Sequence, residues 1–253
     1  MTIQFDASPP PGAESLAVPW IKVSIPDVGI LPAAIVKPAG AGPFPTLLLL
    51  HGSHGFAQEY VRLAGDLARH GFLAVAAGWF REGGGPGQRF VTPITCPEAP
   101  TRPDPLSPEV ARLIGALVEA VRTLQDVRPD SLALFGHSRG GGAVLNYVIR
   151  TRGIQAAVLS SSRYPSDLLH LCSELTTPLL MLHGTDDRPE DGGTEFTNVE
   201  MARTFERALR GAARKVDAIY YPNGRHNDIF LHESRYADEL SRICAFLTRY
   251  LVR

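Results

Sequence analysis

Short, unbroken apolar runs recur along this chain and alternate with stretches of helical spacing. "TLLLL" (46–50), "FLAVAA" (72–77), "LALF" (132–135), "IQAAVLS" (154–160), "PLLMLHG" (178–184) and "KVDAIYYP" (215–222) read as strands. Between and after them, 57–71, 107–125, 139–151, 198–211 and 232–252 read as helices. A strand with no polar face needs apolar cover on both sides, which helices on both faces of a parallel sheet provide. Two earlier segments, "WIKVSI" (20–25) and "LPAAIVKP" (31–38), have partial period-two character and predict a hairpin. The expectation is an α/β fold with a mostly parallel, eight-stranded sheet. No repeat or linker interrupts the pattern, so residues 1–253 are expected to form one domain. The longest irregular segment, 78–105, is rich in glycine and proline and reads as a loop or lid.

One junction is unusually sharp. In "LALFGHSRGGGAV" (132–144) a predicted strand meets a predicted helix with Ser138 at the apex, and Gly136-His137-Ser138-Arg139-Gly140 fits G-x-S-x-G. Such a turn crowds the backbone on both sides of the serine, and glycine relieves that crowding. Gly141 and Gly142 let the following helix approach the sheet. Ser138 then sits at a helix N-terminus, where N–H groups and the dipole favour negative charge. The bland alternative is a helix-capping serine in a glycine-rich turn; the flanking strand and helix favour a nucleophile.

A serine hydroxyl needs a base, an orienting acid and an oxyanion site before it attacks a carbonyl. After a G-x-S-x-G turn, the acid and then the histidine follow in the chain. "PLLMLHGTDDRPE" (178–190) offers Asp187 as the acid, with Asp186 the close runner-up. "YYPNGRHNDIF" (220–230) offers His226, in a polar loop after the last strand. His51, His54, His70 and His137 precede or lie within the turn, His170 precedes the acid, His183 ends a strand and His232 begins a helix. "LLLLHGSHGF" (47–56) opens a buried strand into a glycine-containing loop, so the backbone N–H of Ser53 is one candidate oxyanion donor and that of Arg139 the second.

The bulk properties exclude several classes. Net charge is −1, with 25 basic and 26 acidic residues, so nothing favours nucleic acid or an anionic membrane surface. The beginning of the chain has neither a basic nor an apolar leader region, and no apolar run approaches a membrane span. Cys96, Cys172 and Cys244 are dispersed, which suits reduced thiols in the cytoplasm and matches no zinc spacing. Neither a metal nor a cofactor is expected; the expected partner is a small-molecule ester, and a homodimer is left open.

With these pieces the chain resembles the α/β-hydrolase superfamily, and within it the dienelactone hydrolase-like group, which implies a compact α/β-hydrolase fold with no large cap. The resemblance runs from "TLLLLHG" to "GRHND" and includes an HG-x-x-D acid loop, His183 to Asp187. It implies Ser138 as nucleophile, Asp187 as acid, His226 as base, and Ser53 and Arg139 as backbone donors. Dienelactone hydrolases carry cysteine in the elbow, and an acidic residue near the loop that is "HGSHG" here; Ser138 therefore points to an ordinary serine esterase. "GWFREGGGPG" is also similar to acyl-CoA thioesterases and acyltransferases, which keeps thioester cleavage, acyl transfer and lactone hydrolysis open. A hydrolase-fold binding protein is the third class, though no triad member is missing. Trp79, Phe80 and Phe90 are candidates to line an acyl site or, equally, to anchor the long loop. Arg81, with Arg89, Arg139 and Arg188, is a candidate to hold a substrate anion, or else a solvated loop charge paired with such residues as Glu82 and Glu190.

Overall fold

The apolar runs form strands in the structure, a computed structural model that describes residues 1–5, 7–81, 90–191 and 193–252. The chain divides into two compact units, Met1–Leu132 and Ala133–Arg253. The first holds β1 (Thr2–Gln4), β2 (Trp20–Ile25), β3 (Gly29–Val36), β4 (Phe44–Leu50) and β5 (Leu73–Ala77) in the order β1-β2-β3-β5-β4. The pairs up to β3–β5 are antiparallel, and β4–β5 is parallel. The predicted hairpin is β2–β3, in which Trp20 lies opposite Ala34. Strand β6 (Val127–His137) begins at the end of the first unit and continues into the second. There it is followed by β7 (Ala156–Ser160), β8 (Leu179–Gly184) and β9 (Val216–Tyr221), all in parallel register and in chain order.

The described residues thus contain nine strands rather than the expected eight. The additional one, β1, is three residues long and mostly exposed, so it carries no hydrophobic period to read. The helices are α1 (Gln58–Arg69), α2 (Pro108–Arg122), α3 (Arg139–Arg150), α4 (Val199–Gly211), α5 (Asp228–Leu231) and α6 (Glu233–Leu251). Helix α2 starts where its capping sequence says: the Ser107 hydroxyl accepts the Val110 N–H at 3.2 Å and Pro108 occupies the first turn. Its buried stripe of Val110, Leu113, Ile114, Leu117, Val118 and Val121 contributes about 1.5–3 kcal/mol per large side chain. The last predicted helix, 232–252, is α6; the short α5 before it was not predicted, and His232, with an extended φ of −129°, separates the two. No described helix is long and apolar enough to cross a membrane.

The described parts of the 78–105 segment are irregular but tied down. Its backbone exchanges hydrogen bonds with Phe56 and Gln58 through Ile94 and Thr92, and with Ile30 through Glu98. Val91, Ile94, Cys96 and Ala99 are buried. It is a strap on the first unit over these residues; 82–89 lie outside the described residues.

In the second unit, the loops after β8 and β9 are held side by side. Thr185 N–H donates to Tyr221 O at 2.9 Å, and Asp186 N–H to Gly224 O at 2.9 Å. This approach requires glycine at 184, because a Cβ there would collide with the Gly224 carbonyl. Gly184→Ala should therefore cost about 1–3 kcal/mol, as overpacking does, and lower the melting temperature by several degrees. A thermal melt unchanged from wild type would mean that the two loops are free to separate.

Candidate active site

Ser138 occupies the step between β6 and α3. Its φ of 53° and ψ of −115° lie in a region that L-residues avoid. Three backbone bonds hold it there. Ser138 N–H donates to Ser160 O at 3.0 Å, and the Ser138 carbonyl accepts from Gly142 N–H at 3.1 Å and Arg163 N–H at 3.4 Å. Strain of about 1–3 kcal/mol persists only where the surroundings over-determine it. The flanking glycines are steric necessities. A Cβ at 136 would strike the backbone of Gly140 and Gly141, and one at 141 would strike Ser162. Arg139 takes the first helical position, where backbone N–H groups project beyond the helix end.

His226, in the loop between β9 and α5, is 7% exposed. Its Nε2 is 2.9 Å from the Ser138 hydroxyl oxygen, and its Nδ1 is 2.7 Å from Asp187 Oδ2. A carboxylate only accepts, so Nδ1 carries the hydrogen and Nε2 is left to accept the serine proton. Asp187 rather than Asp186 faces the imidazole. Asp186 Oδ1 accepts from Arg188 Nη2 at 3.1 Å and from the Thr185 hydroxyl at 3.3 Å.

Asp187 is fully buried. Its Oδ1 accepts the Thr197 hydroxyl at 3.0 Å, and its Oδ2 lies 3.3 Å from His183 Nε2 as well as accepting from His226. His183 Nε2–H also donates to Thr197 O at 2.7 Å. Burial alone would favour the neutral acid and is the largest single effect, but the hydrogen bonds from His183 and His226 together outweigh it. The Asp187 carboxyl is thereby held well below the usual carboxylate range.

The sequence singled out Asp187 and His226 but missed Thr197. Thr197 sits ten residues beyond the acid in a short 3-10 turn (Glu195–Thr197), and no motif marks it. His183 carries a signal only as the first residue of HG-x-x-D.

The remaining candidates lie in the first unit. Ser53 is half-buried in the turn after β4. The same turn is braced by Tyr60, whose hydroxyl accepts Gly52 N–H at 3.0 Å and lies 2.9 Å from His54 Nε2. Trp79 and Phe80 are 0% and 1% exposed. Trp79 donates from its backbone N–H to His51 Nε2 at 3.2 Å and from its indole to His51 O at 3.0 Å, while the Phe80 ring lies 4.3 Å from the His51 ring. Burial holds His51 neutral, at a pKa of about 3. Phe90 is half-buried, edge-on to His54 at 5.4 Å. Arg81 is exposed, with its backbone N–H on Pro100 O at 2.9 Å. Trp79 and Phe80 thus anchor the strap around His51. Glu82 and Arg89 fall outside the described residues.

The depressed Asp187 carboxyl has a signed consequence. Its ionised form stabilises the fold fully above the ordinary carboxylate range and ceases to do so as pH falls through the lower folded value. The difference in unfolding free energy between wild type and Asp187→Asn should therefore shrink between pH of about 5 and about 2 in denaturant titrations. A constant difference would mean that the carboxyl is not held down.

Residues 31–250 match the family model described as the dienelactone hydrolase family. A protein of Methylorubrum extorquens provisionally named a carboxymethylenebutenolidase is 24% identical over 223 residues, covering 85% of this chain and 73% of that one. Among solved structures, one provisionally titled a dienelactone hydrolase from Klebsiella pneumoniae aligns with a TM-score of 0.70 at 21% identity, covering 92% of this chain and all of that one. An esterase of Pyrococcus furiosus aligns with a TM-score of 0.71 at 15% identity, covering 94% and 95% of the two chains. These two show an α/β-hydrolase fold. With the family match spanning both compact units, the chain belongs to the dienelactone hydrolase family and is an ester-cleaving hydrolase.

Proposed function

We propose that the protein is a serine hydrolase that cleaves small carboxylic esters through an acyl-enzyme. The observation that carries this reading is the relay in which Ser138 Oγ lies 2.9 Å from His226 Nε2 and His226 Nδ1 lies 2.7 Å from Asp187. In the first half-reaction Ser138 Oγ attacks the ester carbonyl as His226 Nε2 takes its proton. The imidazolium that forms is stabilised and oriented by Asp187. The carbonyl oxygen becomes an oxyanion and is met by backbone N–H groups, that of Arg139 from the elbow and, on the sequence grounds given above, that of Ser53. His226 then protonates the departing alcohol, leaving Ser138 acylated. In the second half, water gives a proton to His226 and attacks the acyl carbon, and Ser138 leaves with its proton restored.

The reading takes residues 1–253 as one catalytic domain, supported by the family match across 31–250. The three dispersed cysteines favour the cytoplasm as its site of action. The serine at the elbow, where dienelactone hydrolases carry cysteine, favours ordinary oxygen esters over dienelactones.

Hydrolysis of p-nitrophenyl acetate and butyrate by wild type and Ser138→Ala tests the proposal. Turnover should vanish in the folded variant, and turnover that survives would move the nucleophile elsewhere. The two aspartates give a sharper comparison. Asp187→Asn should lower kcat by about 10⁴-fold, because an amide stabilises neither the tautomer nor the imidazolium. Asp186→Asn should stay close to wild type. Equal losses in the two variants would overturn the assignment of the acid.

A further inference from the structure

Behind the elbow lies a second buried polar chain that the ester-cleavage mechanism does not use. Glu239, on α6, is 5% exposed, and its Oε2 is 3.2 Å from Ser160 Oγ. Ser160 lies opposite His137 in the β6–β7 register, and its Oγ is 3.5 Å from His137 Nδ1, the longest link of the chain. His137 Nε2 is 3.3 Å from Asn227 Oδ1. His137 immediately precedes Ser138, and Asn227 immediately follows His226. The two histidine rings lie 5.2 Å apart, with Phe230 edge-on to His137 at 5.0 Å. The chain therefore ties α6 to both the elbow and the loop that carries His226.

The direction of its protons depends on Glu239. Asn227 Oδ1 can only accept, so His137 Nε2 carries a hydrogen. With Glu239 protonated, its O–H donates to Ser160 Oγ, and the serine hydrogen turns to His137 Nδ1. All donors then point one way, from Glu239 to Asn227. With Glu239 ionised, the carboxylate takes the serine hydrogen for itself and withdraws it from His137.

We propose that Glu239 and His137 are positioning residues for His226, and that the Glu239–Ser160–His137–Asn227 chain holds the base loop in register while Glu239 keeps its proton and releases it when that proton is lost. This rests on the reading of His226 as the base of Ser138. The surroundings make the switch accessible. Burial pushes the Glu239 carboxyl up to about 8; Arg235 and the Ser160 hydroxyl oppose this, and Asp238 and Asp228 add to it. Arg235 and Asp238 are on its own helix, Asp228 comes from α5 and Tyr221 from β9. Strand β8 also packs against α6, but its one titratable side chain, His183, is engaged by Thr197 and Asp187.

Glu239→Gln keeps a donor and an acceptor at the same place and cannot ionise. For p-nitrophenyl acetate, wild-type kcat should fall about threefold or more between pH of about 7.5 and about 9 with KM unchanged, whereas kcat of Glu239→Gln should not fall. Coincident profiles would overturn the proposal. A readout independent of turnover is the 15N NMR spectrum of histidine-labelled protein, with the His137 signal assigned by its loss in His137→Gln. The wild-type His137 Nδ1 shift should move as pH passes about 8, and should stay fixed in Glu239→Gln. A wild-type shift that does not move across that range would overturn the proposal even if the enzyme proved inactive on the ester. Absence of wild-type turnover, or turnover that persists in Ser138→Ala, would instead count against the ester-hydrolase reading, and the NMR titration would still decide the chain.

Discussion

A buried carboxylate is costly unless every oxygen is engaged, and the second unit is arranged around one. Asp187 has no exposed surface, yet hydrogen bonds keep it ionised. Thr197 takes one oxygen; His226 and His183 share the other. Each partner comes from a different segment: the turn before α4, the loop after β9 and the end of β8. The carboxylate is satisfied only when those three segments are in register. A charge that would destabilise a loosely packed loop thus becomes a constraint that sets the His226 tautomer and aims Nε2 at Ser138.

The second constraint is backbone strain at Ser138. A positive φ at a non-glycine residue persists because Ser160, Gly142 and Arg163 bond its peptide groups, and because Gly136 and Gly141 remove side chains that would block the close approach. The strained elbow and the polar chain of Glu239 meet at the end of β7. Ser160 supplies the carbonyl that anchors Ser138 and the hydroxyl that reaches Glu239 and His137. The same strand end therefore serves both the elbow and the polar chain behind it.

Most of this frame was legible in the sequence because its physics is local. Apolar runs marked β4 to β9 and partial alternation marked the β2–β3 hairpin, although β6 begins at Val127, ahead of its run, and Ser107-Pro108 marked the start of α2. The G-x-S-x-G pentapeptide marked the elbow, and chain order led to His226 and to the Asp186–Asp187 pair, with Asp187 preferred. What escaped was non-local or small. Strand β1 is too short and exposed to show a period. Thr197 carries no motif and matters only through one bond across ten residues. Glu239 lies on the amphipathic α6, where a glutamate looks like any solvated helix residue; only packing reveals it as buried. Trp79 and Phe80 illustrate the limit from the other side. A run of aromatics in a long loop suits a pocket and an anchor equally, and their burial against His51 makes them anchors.

The central claim is that Ser138 Oγ is the nucleophile that carries the acyl group of an acyl-enzyme. Its most direct test is to quench the protein during turnover of p-nitrophenyl butyrate, digest it and locate any added butyryl mass by peptide mass spectrometry. The account predicts the adduct on the peptide containing Gly136-His137-Ser138-Arg139, and its disappearance when Asp187 and His226 are intact and the substrate is exhausted. An adduct on another residue, or turnover with no adduct in rapidly quenched samples, would contradict it.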